Sequence, residues 1–307
     1  MREDVFSSTG FRIRAAQGQA ADHRFAHWAE RVAASVFFTL FPADCRICGS
    51  PLIRVSRLPV CEDCLRALRP LEGAFCSVCG EALLSPAFLN RPGALCGLCQ
   101  RAHPPFERAL AYGSYDGGLR DLIHLLKYQQ VRPAAAVLGR MLGNSVASLE
   151  TSLPDGAIQV VPIPLHTRKK AERGFNQAEL IARVALKQLA RPERFQLRTG
   201  VLVRQRETGL QIGLTRHQRR ENVRGAFAVI DPTPIAHRNI LLVDDVLTTG
   251  TTASECTRVL RRAGAAQVWV VTVARTLKTA EGFAMRAEFW EKQSQENDDR
   301  PVMAASG

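Results

Sequence analysis

The sequence predicts an α/β protein, a parallel sheet flanked by helices, preceded by a small cysteine-rich module. Three observations carry that reading. Ile240, Leu241, Leu242 and Val243 form an aliphatic run with no polar alternation, the pattern of a strand covered on both faces. Ala253 to Ala263 follows with helix-like spacing of apolar residues and stops at Gly264. Eight of the nine cysteines fall in four Cys-x-x-Cys pairs, all in the first third of the chain. At 307 residues there is room for one α/β domain of ordinary size plus a smaller module.

From the amino terminus, Phe25, Trp28, Val32, Val36 and Leu40 have the spacing of an amphipathic helix packed on the body of the protein. Membrane-surface attachment is the weaker reading of this face, because no basic cluster flanks it. The apolar stretch from Val32 to Phe41 is too short to span a bilayer, and no transmembrane segment is expected. No secretory signal is apparent, and Asp44 before Cys45 argues against lipoprotein processing, so a cytoplasmic protein is expected.

The cysteine pairs are Cys45/Cys48, Cys61/Cys64, Cys76/Cys79 and Cys96/Cys99. A Cys-x-x-Cys turn places two thiolates on one metal, and two such turns complete a tetrahedral site. Gly49 and Gly80 follow the second cysteine of their pairs, where a knuckle needs positive φ or a close backbone approach. Structural Zn²⁺, two ions, is the favoured reading over an iron–sulfur centre, a disulfide or a redox dithiol. The simplest pairing is sequential, Cys45/48/61/64 on one ion and Cys76/79/96/99 on the other; an interleaved pairing satisfies the spacing as well. With all four positions filled by thiolates, zinc supplies folding energy and has no open position for catalysis. Two such sites lower the formal charge from +12 to about +8.

Beyond the cysteines, Ala109 to Tyr115 alternates like a strand, Asp116-Gly117-Gly118 marks a tight turn, and a helix begins near Leu119. That helix carries His124, Lys127 and Tyr128, of which His124 has no evident special role. A second helix is expected from Ala134 to Leu149, and a buried strand from Ile158 to Ile163, stopped by Pro162 and Pro164. The chain then turns basic at Arg168, Lys169, Lys170 and Arg173 before a helix from Ala178 to Leu189. A basic loop at a strand's carboxyl end suits a phosphate group; the plainer reading is a solvated charge run with Asn176 as a helix cap. From Val160 to Arg224 there are 15 Lys/Arg against 5 Asp/Glu, so most of the positive excess, and with it a preference for anionic partners, lies here. The stretch from Arg204 to Phe227, rich in Arg, Gln and Thr, suits a mobile cover over an anionic ligand, with a solvent-facing hairpin as its plainer reading. Cys256 reads as a packing residue, and the residues after Thr276 as a polar tail.

The chemistry concentrates where the aliphatic run ends. The strand is expected to stop at Asp244 and Asp245, followed by a loop of Thr248, Thr249, Gly250, Thr251 and Thr252 at a helix start. Backbone N–H groups and threonine hydroxyls there would cradle a phosphate. Two carboxylates at a strand's carboxyl end can accept hydrogen bonds from a vicinal diol or hold hydrated Mg²⁺. A ligand with a phosphate at one end and a diol or metal at the other fits, and 5-phosphoribosyl-1-pyrophosphate is one. The run matches neither a Walker-type phosphate loop nor Gly-x-Gly-x-x-Gly.

This run resembles the signature of the type I phosphoribosyltransferases. The cysteine pairs, Leu125-Leu126-Lys127-Tyr128, Val161 to His166, Arg173 to Gln177, Arg204-x-x-x-Thr208-x-x-Gln211, Arg219-x-x-Asn222 and the aspartate motif, taken in order, closely resemble the competence protein F (ComF) family over roughly residues 28 to 276. The resemblance implies a double zinc-ribbon module over 44–104, a type I phosphoribosyltransferase-like domain over 105–276, an amino-terminal extension over 1–43 and a tail over 277–307. It implies a phosphoribosyl-pyrophosphate site and a setting in natural transformation, where single-stranded DNA and DNA-uptake proteins become expected partners and any placement at the inner membrane arises through them. In such a site Thr248 to Thr252 would hold the 5-phosphate, Asp244 and Asp245 the ribose hydroxyls and Mg²⁺, and Arg168, Lys169, Lys170 and Arg173 the pyrophosphate, with Arg204 and Arg219 closing over it. Phosphoribosyl transfer to an acceptor is one expected function. A non-catalytic adaptor binding single-stranded DNA, regulated by the same ligand, is the other.

Overall fold

The computed structural model describes residues 43–52, 56–83, 93–207 and 215–277; the helix expected around Phe25 to Leu40 and all but the first residue of the tail lie outside the described residues. In chain order the helices are α1 (Glu62–Arg66), α2 (Gly97–Arg101), α3 (Gly117–Tyr128), α4 (Ala134–Glu150), α5 (Thr167–Arg173), α6 (Gln177–Leu186), α7 (Arg216–Val223) and α8 (Thr251–Arg262). The strands are β1 (Ala109–Ser114), β2 (Ile158–Pro162), β3 (Phe195–Leu197), β4 (Leu202–Arg204), β5 (Phe227–Val229), β6 (Asn239–Leu247) and β7 (Gln267–Arg275). Two compact units meet in sequence at Cys64 and Leu65. Among the described residues, the first holds one cysteine cluster and the second holds the other cluster and all seven strands.

The expected parallel sheet is present, in the order β1-β7-β6-β2-β3, with β4 and β5 forming a separate antiparallel pair. Ile240 to Val243 are no more than 1% exposed, because helices cover the sheet on both faces. α4 lies on β1 and β7 and packs against α6 so closely that a Cβ on Gly139 would overlap Val184. On the other face α8 contributes Cys256 and Leu260 to a core with Val161, Ile240, Leu242 and Val270. Cys256 is fully buried there, as a packing residue should be. Edge strand β1 is not left open: Leu71 N donates to Tyr112 O and Ala109 N to Val78 O, both at 2.7 Å.

The connections place the site. After β2 the chain moves outward to β3, whereas after β6 it moves the other way, to β7. The neighbours β2 and β6 therefore flank a topological switch point, and in open parallel sheets ligands bind outside the carboxyl ends of such strands. No helix among the described residues is long and apolar enough to cross a membrane.

Candidate metal centres and ligand crevice

The thiol sulfurs of Cys45, Cys48, Cys61 and Cys64 lie within 4.8 Å of one another, and so do those of Cys76, Cys79, Cys96 and Cys99. The pairing is sequential. Sγ–Sγ separations are 3.8 Å for Cys45–Cys64, 3.7 Å for Cys48–Cys61 and 3.6 Å for Cys79–Cys96. Four sulfurs about 2.3 Å from a central zinc stand about 3.8 Å apart, so both clusters have the size of a zinc tetrathiolate, and none of these cysteines is in a disulfide. Each knuckle turns as expected: Gly49 and Gly80 have φ of 75° and 70°, and their N–H groups donate to Cys45 O and Cys76 O at 2.9 Å. Burial opposes the thiolate of Cys45, but backbone N–H donors at Cys48, Cys61 and Ile47 bring it down to about 6; the same balance brings Cys76 to about 7. These are clusters made to hold a soft cation, and they support structural zinc.

At the switch point β6 runs past the aspartates. Its pairing with β7 continues through Val246–Ala274 and Leu247–Arg275, so Asp244 and Asp245 sit within the strand near its carboxyl end. Although successive strand residues face opposite sides of a sheet, the two carboxyls stay close enough to interact, and Asp245 N donates to Asp244 Oδ1 at 2.9 Å. Asp245 is 4% exposed and meets Lys127 Nζ at 2.5 Å; Asp244 is half-buried. Burial drives Asp244 well above the usual carboxylate range, and the neighbouring charge of Asp245 adds to the effect. Burial acts on Asp245 too, but the Lys127 ammonium outweighs it and holds that carboxyl below the usual range. Lys127, although buried, stays above its ordinary pKa because Asp245 faces it. The two carboxyls are thus pushed in opposite directions, Asp244 up by burial and Asp245 down by its lysine.

The role of Lys127 was not read from the sequence. A signal exists: it stands four residues after fully buried Ile123, on the apolar side of α3, where a lysine needs a carboxylate partner. His124 also has company, with Nε2 3.0 Å from Tyr115 Oη and its ring edge-on to Tyr128 at 5.0 Å.

The threonine loop leads into α8 through Gly250, which has φ of 72° and serves as the N-cap. No side chain caps this helix, and Thr249 and Thr251 hydroxyls meet at 2.7 Å beside its first turn. The basic run is a helix, α5, and not a loop. It ends at left-handed Gly174, whose N–H donates to Lys170 O. Arg173 turns to the crevice: its guanidinium lies 5.3 Å over the Tyr128 ring, donates to Gln177 Oε1 at 2.9 Å, and helps hold Asp245 ionised. Arg168 is exposed and paired with Glu172 (3.2 Å) and Glu207 (3.7 Å). On the same helix Lys169 is half-buried and Lys170 exposed. Asn176 caps α6, accepting from Ala178 N and donating to Ile163 O, both at 3.0 Å.

The polar stretch after β3 forms the β4–β5 pair with α7 between, started by a capping box of Thr215 and Gln218; residues 208–214 lie outside the described residues. Arg204 ends β4, bridged to His166 just past β2, with its guanidinium 5.4 Å over Phe227 and within the field of Asp244. Arg219 is on α7, which packs against α8. The crevice therefore gathers Asp244, Asp245, Lys127, Arg173, Arg204 and the threonine loop, while Arg168 is engaged with acidic side chains.

Comparison with known proteins agrees with this layout. Residues 36–100 match the family model of the double zinc ribbon domain. The DNA utilization protein YhgH of Escherichia coli (strain K12) is 33% identical over 240 residues, covering 77% of this chain and 98% of that protein. Competence protein F of Haemophilus influenzae is 28% identical, over 73% of this chain and 93% of its own. The chain belongs to the ComF family. Competence protein ComFC of Bacillus subtilis, a more distant ComF protein, is 24% identical over 71% of this chain and 84% of its own. A hypoxanthine phosphoribosyltransferase from Staphylococcus aureus shares 16% identity over 47% of this chain and 64% of its own, with a TM-score of 0.27, a likeness too slight to argue from. As a ComF protein, the chain joins zinc-ribbon clusters to an α/β domain built on a parallel sheet.

Proposed function

We propose that the crevice of this ComF protein binds 5-phosphoribosyl-1-pyrophosphate with Mg²⁺, transfers the phosphoribosyl group to an acceptor, and serves DNA uptake in natural transformation. The observation that carries this reading is the unequal Asp244–Asp245 dyad at the switch point, followed directly by a helix start whose N-cap is a left-handed glycine. Thr248 to Thr252 hold the 5-phosphate through hydroxyls and α8 amides. Asp244 and Asp245 take the ribose hydroxyls and orient the cation, with Lys127 fixing the Asp245 carboxylate. Arg173 and Arg204, with Lys169 and Lys170 from α5, face the pyrophosphate, and Arg168 and Arg219 join as the cover closes. Mg²⁺, when bound, spreads the charge of the leaving pyrophosphate. The C1–oxygen bond breaks through an oxocarbenium-like state, so the residues act mainly by positioning and electrostatics.

Calorimetry with Mg²⁺ and phosphoribosyl pyrophosphate tests the pocket. Asp244→Asn combined with Asp245→Asn is expected to abolish binding; unchanged affinity would sink the assignment. Pyrophosphate release in the presence of a panel of nucleobases and amines tests transfer. The excess of 15 basic over 5 acidic residues from Val160 to Arg224 favours a second reading, a single-stranded-DNA adaptor regulated by the same ligand. Salt-dependent DNA binding that weakens on replacing Lys169 and Lys170, with no acceptor-dependent pyrophosphate release, would select it.

A further inference from the structure

Arg275 is the last residue of β7, and its side chain is 5% exposed. Its guanidinium reaches the second cysteine cluster: Nη1 donates to Cys79 O, Nη2 lies 3.9 Å from Cys79 Sγ, and Nη2 pairs with Glu81 Oε2 at 2.8 Å. Its Nε has no hydrogen-bond partner among the described residues. The side-chain hydrogen bonds described for this buried cation thus all go to the Cys76–Glu81 knuckle. Its backbone leads elsewhere. Arg275 pairs in register with Leu247, the residue before the threonine loop, and Thr276 N donates to Leu247 O at 3.0 Å. On its other side Arg275 O accepts from Tyr115 N at 2.8 Å.

One residue therefore touches the zinc knuckle with its side chain and the root of the phosphate loop with its main chain. We propose that Arg275 is a positioning residue that couples the second zinc cluster to the phosphate loop, so that an intact cluster at Cys76, Cys79, Cys96 and Cys99 is required for tight binding of the ligand's 5-phosphate. This rests on the phosphoribosyl-pyrophosphate reading of the crevice. A zinc tetrathiolate carries net negative charge next to the guanidinium and fixes the Cys79 carbonyl that receives it. Losing the metal frees that carbonyl, leaves a buried cation with fewer partners, and loosens the strand end from which the loop departs. Coupling of this kind is reciprocal, so ligand in the crevice must also tighten the metal.

The experiment uses the full zinc-loaded chain, following zinc release with a chromophoric chelator and affinity by calorimetry with phosphoribosyl pyrophosphate and Mg²⁺. Arg275→Ala is expected to release one of its two zincs faster and to bind the ligand about tenfold more weakly. Arg275→Lys should restore part of both. In the natural protein the ligand should slow release of one zinc, whereas Cys45→Ser, which disables the first cluster, should leave affinity unchanged. If Arg275→Ala does not fold, Glu81→Gln, which weakens the same anchor from the knuckle side, should give the same changes in smaller measure. Natural affinity in a folded Arg275→Ala or Glu81→Gln protein, or zinc release indifferent to ligand, overturns the coupling alone. A natural protein that does not bind the ligand overturns the reading of the crevice, and the zinc-release rate of Arg275→Ala then still decides whether Arg275 holds the cluster.

Discussion

The first cysteine cluster is surrounded by its own loops, with Cys61 N donating to Cys45 Sγ, Arg46 N to Pro59 O and Leu52 N to Ala43 O, and with Cys48 exposed. The second buries Cys76, Cys96 and Cys99 among Val78, Leu83, Leu95 and Leu98, and reaches into the sheet through Val78–Ala109 and Cys79–Arg275. Two clusters of one ligand set thus hold different amounts of structure. Zinc in the first ties a local element together; zinc in the second is part of the core on which the crevice is built.

The largest expected difference follows from removing one ligand from each. Cys99→Ser should lose one zinc and destabilise the main unfolding transition by on the order of 5 kcal/mol. Cys48→Ser should lose one zinc and move that transition by less than about 0.5 kcal/mol. Equal shifts in scanning calorimetry would erase the distinction. A smaller contrast lies in the knuckle glycines. A Cβ at Gly49 meets nothing within 4 Å, whereas one at Gly80 meets Ala109 O at 3.1 Å. Gly49→Ala should cost the first unit about 1–2 kcal/mol from its left-handed backbone and leave the main transition in place, whereas Gly80→Ala should cost the main transition about 1–3 kcal/mol beyond the same backbone penalty, each read from its own unit's denaturant midpoint.

The smallest effect expected is in pH, and here the clusters should agree. Both Cys45 and Cys76 are depressed, to about 6 and about 7. A depressed acid contributes its stability above its unfolded value and loses it as pH falls through the folded one. On acidification both clusters should therefore give up zinc. Metal retained against pH, resolved by cluster with the Cys48→Ser protein, checks both losses.

The parts legible in the sequence are those with local causes. The aliphatic run at Ile240 to Val243, the glycine knuckles and the Asn176 cap each depend on residues a few positions apart, and each is found where expected. Longer-range causes were hidden. β6 extends beyond its aspartates because β7 offers a partner as far as Arg275. The basic run is helical because left-handed Gly174 gives α5 a stop that charge alone does not announce. Lys127 finds Asp245 across more than a hundred residues of chain, a pairing set by topology. Arg275 ends β7, and its tie to Cys79 spans even more sequence.

Asn176 shows what a single amide can do at the crevice rim. Its oxygen caps α6 and its nitrogen binds the carbonyl of Ile163, just past β2. Aspartate is an equally good cap and nearly the same shape, yet it would set a carboxylate against that carbonyl. An exchange that is harmless at most helix starts would here push the helix off the strand it is moored to, and deamidation at this one side chain would be a chemical ageing event with a structural address.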